Sequence, residues 1–220
     1  MIAQVTHPFF EQFPQLQPYV GENYENGKTK HLLIVGESHY LPTEKHLAPE
    51  AWYNHMSQTN FTQKELGYIE TANLIQEARG SITHLPYRIY MHIAKELNAL
   101  GLGYTNYTDA LSHIMYMNYF QRPAEKPHES IQVAEIDKQM AESVMRAVVQ
   151  DYKPELIIIV SKLANNNQAG KLFHEMGIPV ETTPHPGCRW WNTKTGKYGN
   201  RRGRDVFCDF LKKHDWIQTL

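Results

Sequence analysis

Apolar positions along the chain follow two rhythms. Leu32 to Val35 and Leu156 to Val160 are short, unbroken apolar runs, the pattern of strands buried on both faces. Ile114 to Met117 and Val180 to Thr183 read as two more strands, although the methionines of the first suit a helix equally well. The segments between them carry helical spacing. Thr62 precedes Glu65 as a capping box, opening a helix that extends to Ala78 and stops at Arg79-Gly80. A second begins near Pro86 and runs to about Leu100, with Ile89, Ile93 and Leu97 on one face before Gly101 and Gly103. Val133, Ile136, Met140, Val144 and Val148 form a stripe suited to core packing, ending near Asp151 to Pro154. Leu163 to Met176 predicts another helix, and a last one starts near Arg202 or Gly203, burying Val206, Phe207, Phe210 and Leu211.

Four strands separated by helices predict an α/β fold of three layers, with a central, mainly parallel four-stranded sheet flanked by helices. His7-Pro8, Phe13-Pro14, Gln17-Pro18, Gly21 and Gly27 interrupt the first 30 residues too often for one regular element, so these read as an N-terminal wrap. At 220 residues, the whole chain, 1–220, reads as a single domain.

Composition adds exclusions. With 41% hydrophobic and 20% charged residues the chain is ordinary for a globular protein. No apolar run approaches the roughly 20 residues of a membrane-spanning helix. Met1 to Pro8 lacks the basic leader and apolar stretch of a secretory signal, so a cytoplasmic location without membrane association is expected. Cys188 and Cys208 are too few and too far apart for a disulfide framework or a paired-cysteine metal site. A net charge of -1 argues against long-range attraction to nucleic acid, but the distribution is uneven. Arg189, Lys194, Lys197, Arg201, Arg202, Arg204, Lys212 and Lys213 face only Asp205 and Asp209 in that stretch. Two readings stand for it: contact with a phosphate backbone, or a solvated surface loop.

Two strand-to-loop junctions hold acid–base residues where an open α/β sheet binds ligands. One is Gly36-Glu37-Ser38-His39-Tyr40; the other is His185-Pro186-Gly187. The first is no serine-hydrolase elbow, because no second glycine follows the serine, and Ser38 and His39 as neighbours need not face each other. A phosphate loop, a Gly-x-Gly-x-x-Gly fingerprint and a His-Glu-x-x-His pair are all missing from the sequence, so no cofactor and no metal are expected. His84 and His92 lie eight residues apart near one helix and read as structural or surface residues.

In order and spacing, three segments resemble the motifs of the uracil-DNA glycosylase superfamily. The glycine-containing first loop is similar to Leu32 to Tyr40, the asparagine-bearing middle element to Met115-Tyr116-Met117-Asn118-Tyr119, and the last loop to Thr183-Pro184-His185-Pro186-Gly187. The likeness extends from about residue 30 to the C-terminus. The chain departs where members commonly carry proline in the first loop and here have His39, where Ser38 replaces an acidic, amide or alanine position, and where Gly187 replaces a serine.

The resemblance implies hydrolysis of the N-glycosidic bond to a damaged or modified base, uracil-like in kind. His185 would stabilise the departing base, Glu37 would orient water or offset charge on the sugar, and Asn118 would read the base edge with its donor and acceptor. Gly36, Ser38 and His39 would line the base site. Tyr40 reads either as a wall excluding larger substituents or as core packing, and Tyr119 and Phe120 are stacking candidates. Gly187, Arg189, Trp190, Trp191, Lys194, Lys197, Arg201, Arg202 and Arg204 would contact the nucleic acid, with either tryptophan a wedge for base flipping or a core ring. The partner is then DNA or another nucleobase-containing substrate. Hydrolysis or transfer on a free nucleoside or nucleotide is an alternative, as is a non-catalytic nucleic-acid or nucleotide-binding protein. No oligomeric state is read from the sequence.

Overall fold

A computed structural model, which describes residues 4–45, 48–54, 61–80, 87–127 and 129–218, arranges the strand-forming runs into one mixed sheet. Its elements in chain order are α1 (Pro8–Gln12), β1 (Tyr19–Val20), β2 (Leu32–Gly36), α2 (Pro49–Tyr53), α3 (Gln63–Ile69), α4 (Thr71–Gly80), α5 (Arg88–Leu97) and β3 (Ile114–Asn118). There follow α6 (Glu135–Tyr152), β4 (Leu156–Ile159), α7 (Lys162–Asn166), α8 (Ala169–Glu175), β5 (Val180–Thr182) and α9 (Gly203–Lys213). The strand order is β1-β3-β2-β4-β5, parallel throughout except for β1, which runs antiparallel to β3. The four parallel strands are those the apolar runs predict. The fifth, β1, comes from the N-terminal segment and has only two residues, too short to show any period in sequence.

Side chains alternate across the sheet and create two cores. Leu33, Val35, Met115, Met117, Ile157 and Ile159 pack on one face with Phe9, Phe13, Val144 and Phe173. Leu32, Ile34, Ile114, Tyr116, Leu156 and Ile158 pack on the other with Ile93, Leu97, Phe207 and Leu211. Helices therefore cover both faces, giving the expected three layers.

Two expected helices are each divided. The capping box at Thr62 forms as read, but Glu70 is extended (ψ 91°) and separates α3 from α4. Between α7 and α8, Gln168 adopts a left-handed conformation (φ 75°). The Asn167 side chain donates to the Leu163 carbonyl at 2.9 Å, so an amide side chain competes with the backbone ladder at that break. The stripe on α6 is buried at Val144 and Val148 and half-buried at Ile136 and Met140; left-handed Lys153 ends the helix before Pro154. Among the described residues, no helix is long and apolar enough to cross a membrane.

A charge cluster with a fully buried Arg122–Asp137 pair at its centre joins the chain beyond β3 to α6. Arg122 meets Asp137 through two bonds of 3.0 and 2.9 Å, donates to the Gln132 carbonyl at 2.8 Å, and pairs with Glu125. Asp137 also accepts from the Tyr53 hydroxyl and from the Ala134 amide, each at 2.9 Å. At the β5 border of the sheet, the Thr182 amide donates to Glu181 Oε1 at 2.8 Å.

Candidate active site

The parallel register sets Gly36 directly opposite Asn118 at the C-terminal ends of β2 and β3. A methyl group at residue 36 would stand 2.2 Å from Asn118 Oδ1 and 2.3 Å from the Tyr116 hydroxyl, so only glycine permits this approach. The loops that leave the two strands remain joined. Tyr119 N donates to Gly36 O at 3.2 Å, Phe120 N to Glu37 O at 2.9 Å, and Ala124 N to His39 O at 2.9 Å. The Gln121 side chain donates to Asn118 O at 2.8 Å, which fixes the backbone of the buried asparagine.

Beyond Gly36, Glu37 is half-buried and held from β4's side of the sheet. The Ser161 hydroxyl donates to Glu37 Oε2 at 3.0 Å, while its oxygen accepts from the Ala164 amide at 3.1 Å as the cap of α7. Glu37 Oε1 is buried and has no hydrogen-bond partner among the described residues. Tyr40 lies against this carboxylate; burial, with the negative charge of Glu37 and a side-chain hydrogen-bonding interaction with it adding to the effect, pushes the phenol up to about 12. Tyr116 is held well above the usual phenol range by burial first, then by its neighbours Tyr90, Tyr40 and Glu37. The Tyr90 and Tyr116 rings meet edge to face at 5.2 Å. A carboxylate and three phenols thus share this end of the sheet.

His185 reaches the same region from the loop after β5. Its Nδ1 accepts from the Gly187 amide at 3.1 Å, so in the neutral ring the proton sits on Nε2. Burial lowers its pKa, partly offset by the field of Glu37, which places the imidazole within electrostatic reach of that carboxylate. The loop is docked at three points. Thr183 N donates to Ile159 O at 2.9 Å, His92 Nδ1 donates to Pro186 O at 2.6 Å, and Gly203 closes against Pro184, where a Cβ would come within 2.9 Å. Of the structural and surface readings for His92, the bond to Pro186 shows a structural one; His84 lies outside the described residues.

The remaining candidates divide. Ser38 and His39 are buried, and the Ser38 hydroxyl has no partner among the described residues. Tyr119 and Phe120 pack edge to face at 5.1 Å within the core, with the Tyr119 hydroxyl donating to Asn167 O. Of the two readings for Trp191, core packing is the one observed: the ring is 1% exposed and lies edge-on to Phe207. Gly187 is exposed, and the exposed Arg189 holds its guanidinium 4.2 Å over the half-buried Trp190 ring. Arg201 pairs with Asp209, Arg202 with Asp205 at 2.7 Å and Arg204 with Glu96 at 3.9 Å, so carboxylates offset much of the basic stretch. Lys194 is exposed, Lys197 lies on the turn Gly196–Tyr198, and the Lys197 side chain is outside the described set.

Two surface hollows flank α9. One, of about 610 Å³, is lined by residues including Glu96, Lys194, Arg202, Arg204 and Cys208; the other, of about 460 Å³, lies between β5 and α9. Neither is lined by Glu37, Asn118 or His185. Among the described residues, no group of three or more His, Cys, Asp or Glu side chains could hold a metal ion. No protein-family model matches the chain, and comparison with curated proteins gives no significant match.

Sequence reasoning misses Ser161, Tyr116 and His92 as parts of the site. Tyr116 was accessible in principle, because residues two apart on a strand share a face with Asn118. Ser161 directly follows the clearest apolar run and precedes a helix, a capping position whose second contact is tertiary. Nothing local marks His92, whose partner is Pro186.

Burial also gives His39 a pH consequence. Its pKa falls from 6.5 to about 4 because the folded state disfavours the imidazolium. The unfolded chain binds that proton more readily, so the stability present above pH 6.5 is lost as pH falls towards 4. The loss from this residue amounts to about 3 kcal/mol. Urea unfolding from pH 7.5 to 4.5 should show this slope, and His39→Leu should flatten it. His185 and His113, also depressed by burial, preserve part of the slope in the variant. An unchanged pH profile in His39→Leu would contradict this assignment.

Proposed function

We propose that the chain is an N-glycosidic-bond hydrolase that releases a damaged or modified, uracil-like base from DNA. The carrying observation is the convergence of three distant segments at one end of the sheet, with Gly36 beside Asn118 and Glu37 acting on His185. In this reading the leaving base takes the bonding electron pair as its C–N bond breaks, and the Nε2–H of neutral His185 stabilises the resulting charge. A water oxygen bonds to the anomeric carbon as Glu37 accepts its proton, which finally resides on the released base. Asn118 recognises the base edge through its amide. No metal or organic cofactor enters this scheme.

Carboxylate pairing of Arg201, Arg202 and Arg204 favours a second reading, in which the same groups act on a free nucleoside and no long phosphate track is needed. Incubation with a panel of oligonucleotides bearing deaminated or modified bases, beside the matching nucleosides, separates the two. Free base and an abasic strand are expected from at least one oligonucleotide. Release from nucleosides alone would select the second reading, and release from neither by the folded protein would remove both.

A further inference from the structure

We infer that Ser161 is the positioning residue for Glu37, fixing which carboxylate oxygen is offered to a proton. This rests on the hydrolase reading above. A glutamate has three rotatable side-chain bonds and two chemically equivalent oxygens, so an untethered carboxylate occupies many orientations. Here one oxygen is committed. The Ser161 hydroxyl donates to Oε2 at 3.0 Å, and the Ala164 amide, by donating to the same hydroxyl oxygen, leaves its hydrogen free to point at the carboxylate. Ser161 is itself 1% exposed and lies two residues past β4, where the Val160 amide still donates to the Val35 carbonyl of β2 at 2.8 Å, so the anchor is tied to the sheet. The other oxygen, Oε1, is buried and has no partner among the described residues. Buried carboxylate oxygens normally find a donor; the Tyr40 phenol borders this carboxylate, and a bound water is the other donor it can take.

The arrangement assigns Oε1 the water proton in hydrolysis. Ser161 touches neither water nor substrate in this scheme. It acts through Glu37, by holding the carboxylate in one of its possible orientations. Misplacement of a reacting group by about 1 Å can cost on the order of a hundredfold in rate.

The test compares the parent with Ser161→Ala, Ser161→Thr and Glu37→Gln in single-turnover base release. Binding is measured in parallel to oligonucleotides carrying a cationic pyrrolidine or a neutral tetrahydrofuran in place of the abasic sugar. Ser161→Ala should slow release about 30-fold with KM within about twofold, as expected for lost orientation with intact binding. It should also lose most of the parent's preference for the pyrrolidine, which an oriented carboxylate favours. Ser161→Thr keeps the hydroxyl and should recover most of both. Circular dichroism and melting of each variant identify a folding defect, and the threonine variant carries the comparison if the alanine variant unfolds. Parent-like release and pyrrolidine preference in folded Ser161→Ala, with both lost in Glu37→Gln, would overturn the role of Ser161 and leave the hydrolase reading standing. A parent with neither base release nor pyrrolidine preference would overturn both.

Discussion

Replacing His185 with alanine is expected to slow base release by about 10²- to 10⁴-fold while leaving the fold intact, and Glu37→Gln should fall in the same range. The imidazole is poised by three features together. Gly187 holds Nδ1 as an acceptor, burial keeps the ring neutral at physiological pH, and His92 anchors the adjoining carbonyl. Alanine removes the Nε2–H donor without touching the loop's docking contacts. Glutamine at residue 37 retains the shape and can still accept from Ser161, but it no longer takes a proton. Since both groups serve one transition state, the double variant should be much less impaired than the product of the single effects. Binding of the neutral tetrahydrofuran oligonucleotide should change little in either, because neither side chain belongs to the basic stretch that follows residue 188. Single-turnover rates beside equilibrium binding measure this, and undiminished turnover in His185→Ala would move the chemistry elsewhere.

The second large effect is structural. Arg122→Ala should destabilise the protein by about 3–5 kcal/mol, because it strands the Asp137 carboxylate in a site with no solvent exposure. That is a large part of the roughly 5–15 kcal/mol available to a typical domain. The damage should spread, since the same guanidinium ties Glu125 and Gln132 to the start of α6. Removing both fully buried charges with apolar side chains of similar size, Arg122→Met with Asp137→Leu, should recover more than half of the loss, because the carboxylate left behind, Glu125, is partly exposed and keeps the Gln132 amide as a donor. The Tyr53 hydroxyl, which donates to Asp137, limits the recovery. Urea denaturation gives both values, and a cost below about 1 kcal/mol for Arg122→Ala would mean that the cluster does not hold these segments.

What was legible in the sequence follows from how local each signal is. The runs at Leu32 to Val35 and Leu156 to Ile159 are legible because a strand buried on both faces is apolar at every position. Gly36 could be singled out because it ends such a run, and the His185 loop because it follows a shorter, half-buried strand, Val180–Thr182. By contrast, β1 is invisible, since Tyr19 and Val20 form a strand only through pairing with Tyr116 and Met115. The polar break between α7 and α8 sits among residues whose overall pattern still suits one helix. At the site, residue type gave Glu37, Asn118 and His185, but not ring direction or long-range pairing. Trp191 beside a basic loop looks the same in sequence whether it faces solvent or Phe207. Asp205 and Asp209 were visible among the cations, whereas Glu96 reaches Arg204 from α5, far away in the chain.

The bond between the Thr182 amide and Glu181 has a consequence for crowded solutions. A free sheet border ordinarily offers outward amides on which another polypeptide can template itself. Here one such amide is already satisfied by the adjacent acid, and the strand is only three residues long before Pro184 follows shortly after. An incoming segment would have to evict a charged side chain and would gain few new ladder bonds, so this flank resists growth into fibres.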